Sequence, residues 1–153
     1  MQKEITSHIP LLDENGQLNC PGFAKKLYWQ YDRKAVKAPH FKIKEWDYYL
    51  ITCDDFAVAL TIADNSYMGL DSISLLDFRI PWEHTTSPMS FLTLGKRNFP
   101  SSSASGNVKS GGRHHKISFE LHGDYRLLTF HMDKFFDGKP IDGEIRLENP
   151  PQE

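Results

Sequence analysis

Residues 55–64 read DFAVALTIAD, and this stretch decides the fold class. From residue 56 onward the even positions are large and apolar, whereas the odd positions are small. The large set is Phe56, Val58, Leu60 and Ile62, and the small set is Ala57, Ala59, Thr61 and Ala63. This alternation predicts a β-strand, because successive side chains of a strand point to opposite faces. The small face predicts either a closely packed neighbour or the border of a cavity.

Turn signals on both sides extend this strand into a meander. Asp54-Asp55 precede the strand and Asp64-Asn65-Ser66 follow it. Residues 67–80 then form another extended segment, which Pro81 closes. Together with the preceding segment, 41–52, they predict three antiparallel strands that run up, down and up.

The segment before the meander, KIKEWDYYLIT at 42–52, changes its apolar face. Phe41 and Ile43 fall on one face, and Trp46, Tyr48 and Leu50 fall on the opposite face. One regular strand cannot bury both sets on the same side, so we expect a β-bulge between Ile43 and Trp46. The alternative is a sheet covered on both faces. Either outcome favours a barrel or sandwich over a flat open sheet.

The clearest hairpin lies at 116–131, KISFELHGDYRLLTFH, with Gly123-Asp124 at its turn. This register places Ile117 opposite Phe130 and Leu121 opposite Arg126 on a mainly apolar face. It also places His122 beside Tyr125 next to the turn. The Ser- and Gly-rich segment 95–116 is expected to be a loop or a weak edge strand, and 143–148 a last short strand.

These patterns predict an all-β fold with an antiparallel curved sheet, as a partial barrel or a sandwich. Residues 1–40 are punctuated by Pro10, Asn15-Gly16, Pro21-Gly22 and Pro39, which predicts an irregular N-terminal arm. The antiparallel β domain is then expected to occupy residues 41–150.

Composition excludes several functional classes. The chain has 153 residues with 18 basic and 20 acidic side chains, a net charge of −2, which gives no reason to expect nucleic acid as a partner. No apolar run is long enough for a membrane span, and the N-terminus lacks the apolar region of a secretory signal. Cys20 and Cys53 are expected to be reduced thiols in a cytoplasmic protein, with a disulfide as the alternative.

Residues with catalytic or metal-binding chemistry form no recognised motif. The seven histidines show neither H-x-H nor HExxH spacing, so we expect scattered surface histidines and no metal site. Glu45 and Asp47 are expected on a solvated face, because Trp46 and Tyr48, which alternate with them, are better candidates for burial. No cofactor motif and no catalytic residue is identified, and the chain alone is not expected to be an enzyme.

Four residues remain as candidates for a binding site: Trp46, Tyr48, Arg79 and Trp82. In a curved antiparallel sheet they would line an internal pocket for a small apolar or lipid-like ligand. The competing interpretation is that they fill the core. A second hypothesis for function is a non-enzymatic interaction module, whose open sheet edge needs a second half or a second copy.

The ordered pattern LLDENGQLNCPGFAKK at 11–26, then Trp29, Tyr31 and Arg33, then KAPHFKIKEWDYYLI at 37–51, resembles a known family. It is similar to the opening of the domain-of-unknown-function family 2804. The resemblance implies that this chain corresponds to the N-terminal half of a longer protein. It also implies a distant likeness to lipocalin-related proteins, which supports an apolar ligand only by analogy of fold. The resemblance implies no catalytic residue.

Overall fold

The computed structural model describes residues 2–148, which form eleven strands and two short 3-10 turns. The turns are Arg33–Ala35 and His40–Lys42. The strands are β1 (Ile9–Pro10), β2 (Trp29–Gln30), β3 (Glu45–Thr52), β4 (Phe56–Asp64), β5 (Met68–Asp77), β6 (Trp82–Thr86), β7 (Met89–Phe91), β8 (Val108–Gly111), β9 (His115–His122), β10 (Tyr125–Phe136) and β11 (Lys139–Glu148).

The first large sheet contains the predicted meander. Its strand order is β3-β4-β5-β6, and β7 pairs with β5. Neighbouring strands are antiparallel, and one row across the sheet runs from Tyr48 through Thr61 to Ser72. The stretch that alternates most regularly in sequence, β4, is therefore an inner strand, where both of its faces are largely buried.

The second large sheet has the order β11-β10-β9-β8, and it contains the predicted hairpin. Ile117 lies opposite Phe130 and His122 opposite Tyr125, as expected. The loop-like segment contributes the edge strand β8. The last strand is longer than predicted, because the chain turns at Asp137-Gly138, where both residues have positive φ. Asp-Gly with this geometry is a favoured hairpin turn.

The two large sheets pack face to face around one shared core. The first sheet contributes Val58, Leu60, Ile62 and Ile73, and the second contributes Val108, Ile117, Phe119, Leu128, Phe130 and Met132. Within residues 2–148 neither sheet closes into a barrel. The prediction of an all-β antiparallel fold is thus confirmed in its sandwich form. The finer likeness to lipocalins stays a prediction.

Gly143 lies in β11 directly opposite Phe130 of β10. The aromatic ring of Phe130 occupies the space that a side chain at position 143 would need. A Cβ built on Gly143 would collide with Cζ of Phe130. This glycine therefore lets a core ring cover the edge strand, a known way of packing glycine in a sheet.

The expected β-bulge before Trp46 is wrong. Phe41 belongs to the 3-10 turn His40–Lys42, and β3 begins only at Glu45. From Glu45 to Thr52, β3 pairs with β4 without a register shift. The change of apolar face in the sequence marks the end of a turn and the start of a strand, so the two apolar sets do not share one strand.

The N-terminal residues before β3 contain little regular structure. Their strands β1 and β2 have two residues each and pair in parallel. Several contacts connect this segment to the first sheet, among them the hydrogen bonds from Arg33 to Glu45 and from Ser66 Oγ to the carbonyl of His40, the latter at 2.6 Å. A separate arm at 1–40 stays a prediction, and residues 149–150 of the predicted β domain lie outside the described residues.

Candidate functional site

The outer face of the first sheet carries large apolar side chains in contact with solvent. Trp46, Tyr48 and Leu50 are exposed by 62, 54 and 52%. Their expected burial is therefore wrong. The residues of β3 that alternate with these three point inward, as shown by Tyr49 and Ile51, which pack against the core. Glu45 and Asp47 share this inward side, so the prediction of a solvated acidic face is also wrong.

Beside these three residues runs a trough formed by the small face of β4. Ala57, Ala59 and Ala63 are at most 7% exposed although they belong to the outer face. Large side chains flank Ala63 on both sides, in the row that joins Trp46, Ala63 and Leu70, whereas Ala59 lies between Leu50 and Ser74. We call Trp46, Tyr48 and Leu50 the ridge, and the small face of β4 the trough.

Arg79 and Trp82 lie at the other end of the sheet. Trp82 is in the row of Asp77 and Phe56, whereas Trp46 is in the row of Ala63. These two rows are seven residues apart along β4, or about 23 Å. Trp82 also belongs to the inner face, since Thr86 on the same side of β6 lies opposite the core residue Ile73. The four predicted residues therefore do not share one pocket.

Arg79 and Trp82 nevertheless line a cavity of their own, of about 310 Å³. Its other lining residues are Phe56, Leu75, Leu76 and Asp77. Arg79 donates two hydrogen bonds to Asp77, at 3.0 and 2.7 Å, and these lower the pKa of Asp77 to about 2. Trp46 borders a different cavity of about 280 Å³, beside Phe99.

The interior between the sheets contains a buried carboxylate that the sequence analysis missed. Asp71 of β5 is 3% exposed and accepts hydrogen bonds from Ser110 Oγ at 2.8 Å and His115 Nε2 at 2.9 Å. Arg97 forms an ion pair with the same carboxylate. Ser110 and His115 belong to the second sheet, so Asp71 links the two sheets. The prediction of surface histidines is therefore wrong for His115.

A cavity of about 410 Å³ lies next to this cluster, and we call it the basic cavity. It is lined by Thr86, Pro88, Arg113, His114, His115, Met132 and Lys134. These residues come from β6, β9, β10 and the segments beside them. The cavity therefore opens where both sheets end.

A second buried charge, Arg126 of β10, lies on the inner face of the second sheet at 1% exposure. Its guanidinium donates to the backbone carbonyls of Ser103 and Gly106, but its Nε has no hydrogen-bond partner among residues 2–148. Burial raises the pKa of Asp47, and the charge of Arg126 opposes this rise. The two groups interact through space without an ion pair within 4.0 Å.

Histidines and aspartates also alternate on the outer face of the second sheet. His131 hydrogen-bonds Asp142 at 2.6 Å and Asp133 at 2.7 Å, and His114 binds Asp133 at 2.7 Å. The hydrogen bond to Asp142 is the larger cause and that to Asp133 the second, and together they raise the pKa of His131. Within the part of the chain that the structure describes, no set of three or more side chains is arranged to hold a metal ion.

These features define an antiparallel β-sandwich domain with a charged interior and an apolar ridge on one outer face. The family model "Domain of unknown function (DUF2804)" matches residues 2–153, and the chain belongs to this family. This confirms the resemblance found in the sequence. No curated protein and no solved structure matches the chain. Between residues 2 and 148 there is no helix with the length and hydropathy needed to cross a bilayer.

Proposed function

We propose that this domain is a non-enzymatic interaction module that pairs with a second copy of itself through the outer face of the first sheet. One observation carries the proposal: Trp46, Tyr48 and Leu50 are more than half exposed side by side on one edge strand. Contiguous exposed apolar surface of this kind marks interaction sites in folded proteins.

The shape of the face favours a second copy over other partners. A ridge of large side chains lies directly beside a trough of small ones. Under a two-fold axis the same patch is used by both copies, so the exposed ridges of the two copies can pack against each other. Met89 and Phe91 of β7, exposed by 61 and 79%, extend the apolar surface past the far side of the trough.

The size of the face sets the strength of the expected association. Four strands spaced by about 4.8 Å and a central strand of nine residues give a footprint of about 500 Å². Stable interfaces bury about 800 Å² per partner, so we expect a weak dimer whose population depends on protein concentration. Strand β3 ends the strand order of the first sheet, so antiparallel pairing of two β3 strands would add area.

Sedimentation equilibrium over a wide concentration range tests this proposal. The wild type should dimerise reversibly, and the double variant Tyr48→Lys/Leu50→Lys should sediment as a monomer. The matched control is Glu144→Lys, which produces the same change in net charge on the outer face of the second sheet and should still dimerise. A wild type that stays monomeric at every concentration, or a double variant that still dimerises, would contradict the proposal.

A C-terminal partner domain is the alternative occupant of this face. It follows from the hypothesis that the chain is the N-terminal half of a longer protein, which stays a prediction. This alternative is favoured if the wild type is monomeric and binds such a domain supplied as a separate chain, while the double variant does not bind it.

The predicted cytoplasmic location is supported by two free cysteines, Cys20 and Cys53.

A second candidate function, binding of a small apolar ligand, is favoured by the cavity beside Trp82. Its walls include Phe56 and Leu75, and Arg79 at its border is engaged by Asp77. Titration with an environment-sensitive fatty acid probe should quench or shift the fluorescence of Trp82. The change should disappear in Trp82→Phe and persist in Trp46→Phe. Absence of saturable binding by the wild type would remove this candidate.

A further inference from the structure

The basic cavity combines positive charge on one side with apolar surface on the other. Its basic groups are Arg113, His114, His115 and Lys134, and its remaining walls are Thr86, Pro88 and Met132. None of the described residues that line it is a carboxylate. Met132 is 3% exposed and belongs to the core, so the apolar wall is part of the rigid sandwich.

Two cations beside the cavity form no ion pair with the described carboxylates around it. Asp71 is paired with Arg97, and Asp133 is paired with His114 and His131. Among residues 2–148, Arg113 and Lys134 have no ion pair. The cavity therefore carries a surplus of positive charge that a bound anion would neutralise.

His115 presents a defined ring edge next to this surplus charge. Its Nε2 is hydrogen-bonded to Asp71, so Nδ1 is the ring nitrogen left for a ligand, and it donates to a carboxylate when both ring nitrogens carry a proton. Gly112 lies beside this edge and has no side chain to fill the space next to it. A Cβ at position 112 would lie 3.0 Å from Cε1 and 3.4 Å from Nδ1 of His115.

We propose that the basic cavity binds an amphipathic carboxylate, such as a short fatty acid. The carboxylate lies among Arg113, Lys134 and His115 Nδ1, where charge-assisted hydrogen bonds are strongest. The aliphatic tail packs against Pro88 and Met132, which removes apolar surface from water. The volume of about 410 Å³ is within the usual range for small-molecule sites. This proposal does not depend on dimerisation.

Titration with octanoate, followed by nuclear magnetic resonance, tests the proposal on the full chain. Saturable shifts are expected for the methyl group of Met132 and the ring of His115. Octanol keeps the tail and lacks the charge, and inorganic phosphate keeps the charge and lacks the tail. Each should bind at least about tenfold more weakly than octanoate. Equal binding of octanol would overturn the assignment of an anion site.

Variants of exposed residues test the site without disturbing the core. R113Q/K134Q should weaken octanoate binding at least about tenfold. The control K26Q/K139Q has the same net charge but alters lysines outside the cavity, and it should bind like the wild type. The proposal fails if R113Q/K134Q binds octanoate as tightly as the control does. Shifts centred on Trp82, with none at His115 or Met132, would likewise overturn it.

A third variant tests the role of the histidine ring. G112A places a methyl group against the ring edge of His115 and should weaken octanoate binding about tenfold while the protein stays folded. Unchanged affinity in a folded G112A protein would remove Nδ1 of His115 from the site. The carboxylate would then rest on Arg113 and Lys134 alone, which overturns the three-group arrangement proposed here.

Discussion

The outer faces of the two sheets differ in the chemistry that they present. On the first sheet Trp46, Tyr48 and Leu50 stand exposed beside a trough of small residues. On the second sheet polar pairs cover the surface, such as Lys109 with Glu120 at 2.8 Å. Each sheet of a sandwich needs only one apolar face to fold. The second sheet follows this rule, whereas the first sheet also carries large apolar side chains that are more than half exposed on its outer face.

The inner faces differ in a complementary way. The first sheet supplies two inward-facing carboxylates, the partly buried Asp47 and the buried Asp71. The second sheet supplies the basic groups that face them, Arg126 and His115. Opposite charges on facing layers fix which layer can pack on which, since like charges in the interior would repel. The sandwich is thus held by a shared apolar core and aligned by a few buried polar contacts.

Removing the carboxylate that links the sheets should have the largest effect on stability. Asp71→Ala leaves Arg97 buried without its partner and breaks two hydrogen bonds to the second sheet. We expect a loss of about 4 kcal/mol in the free energy of unfolding, measured by urea denaturation. Asp142→Ala, on the polar outer face, is the control and should cost less than about 1 kcal/mol. Similar losses in both variants would show that Asp71 has no special role.

The contrast between the two faces of the first sheet can be measured directly. Leu60→Ala removes a fully buried side chain and should cost about 3 kcal/mol. Leu50→Ala, on the ridge, should change the stability of the monomer by less than about 0.5 kcal/mol. Both values come from urea unfolding at low protein concentration, where the monomer predominates. A large loss for Leu50→Ala would mean that the ridge serves the monomer after all.

Replacing the buried arginine tests the through-space pair at the end of the sandwich. Arg126→Met removes the charge that opposes the rise in the pKa of Asp47, so this pKa should rise further. A carboxyl group with a raised pKa stabilises the folded state below its ordinary pKa of 3.8, and this stabilisation is lost as pH rises through the folded pKa. The variant should therefore lose more stability than the wild type as the pH rises from 3.8 through the folded pKa of Asp47.

Carboxyl carbon shifts of Asp47, followed by pH titration, give the first measurement, and urea unfolding in acid gives the second. At neutral pH we expect stability to change by about 1 kcal/mol or less. Loss of a buried cation with an unpaired Nε offsets loss of its attraction to Asp47. An unchanged pKa of Asp47 in the variant would show that the two groups do not interact.

The smallest expected effect lies on the polar face of the second sheet. Hydrogen bonds to Asp142 and Asp133 raise the pKa of His131. The resulting stabilisation is fully present below pH 6.5, the ordinary pKa, and is lost as pH rises through the folded pKa. His131→Gln should remove this part of the pH dependence of the melting temperature, whereas His122→Gln should keep it. Equal pH dependence in the wild type and His131→Gln would contradict the expectation.

The sequence predicted those parts of the fold in which a local residue pattern is compatible with only one arrangement of the strands. The hairpin of β9 and β10 was predicted with its register, because regular alternation meets a two-residue turn. Which face of β3 points inward was not predicted, because large residues occupy both of its sides. Only the packed core shows that Tyr49 and Ile51 lie on the inner side. The turn at Asp137-Gly138 carried a recognisable signal that was passed over.

The buried charges left weaker signals in the sequence. Arg126 was placed opposite Leu121 on the apolar face, which already implied a buried arginine. Asp71 alternates with the core residue Ile73, so its burial follows once β5 is known to face the second sheet. Its partners Arg97, Ser110 and His115 come from distant segments, and only the packing of the two sheets brings them together.

The ring of Phe130 across Gly143 has a consequence for how the edge of the second sheet opens. An outermost strand usually frays by itself, and its amide protons exchange with solvent long before those of the centre. Here β11 cannot detach without uncovering an aromatic side chain that belongs to the core. Amides in the middle of β11 should therefore exchange together with those of β10, as one cooperative unit.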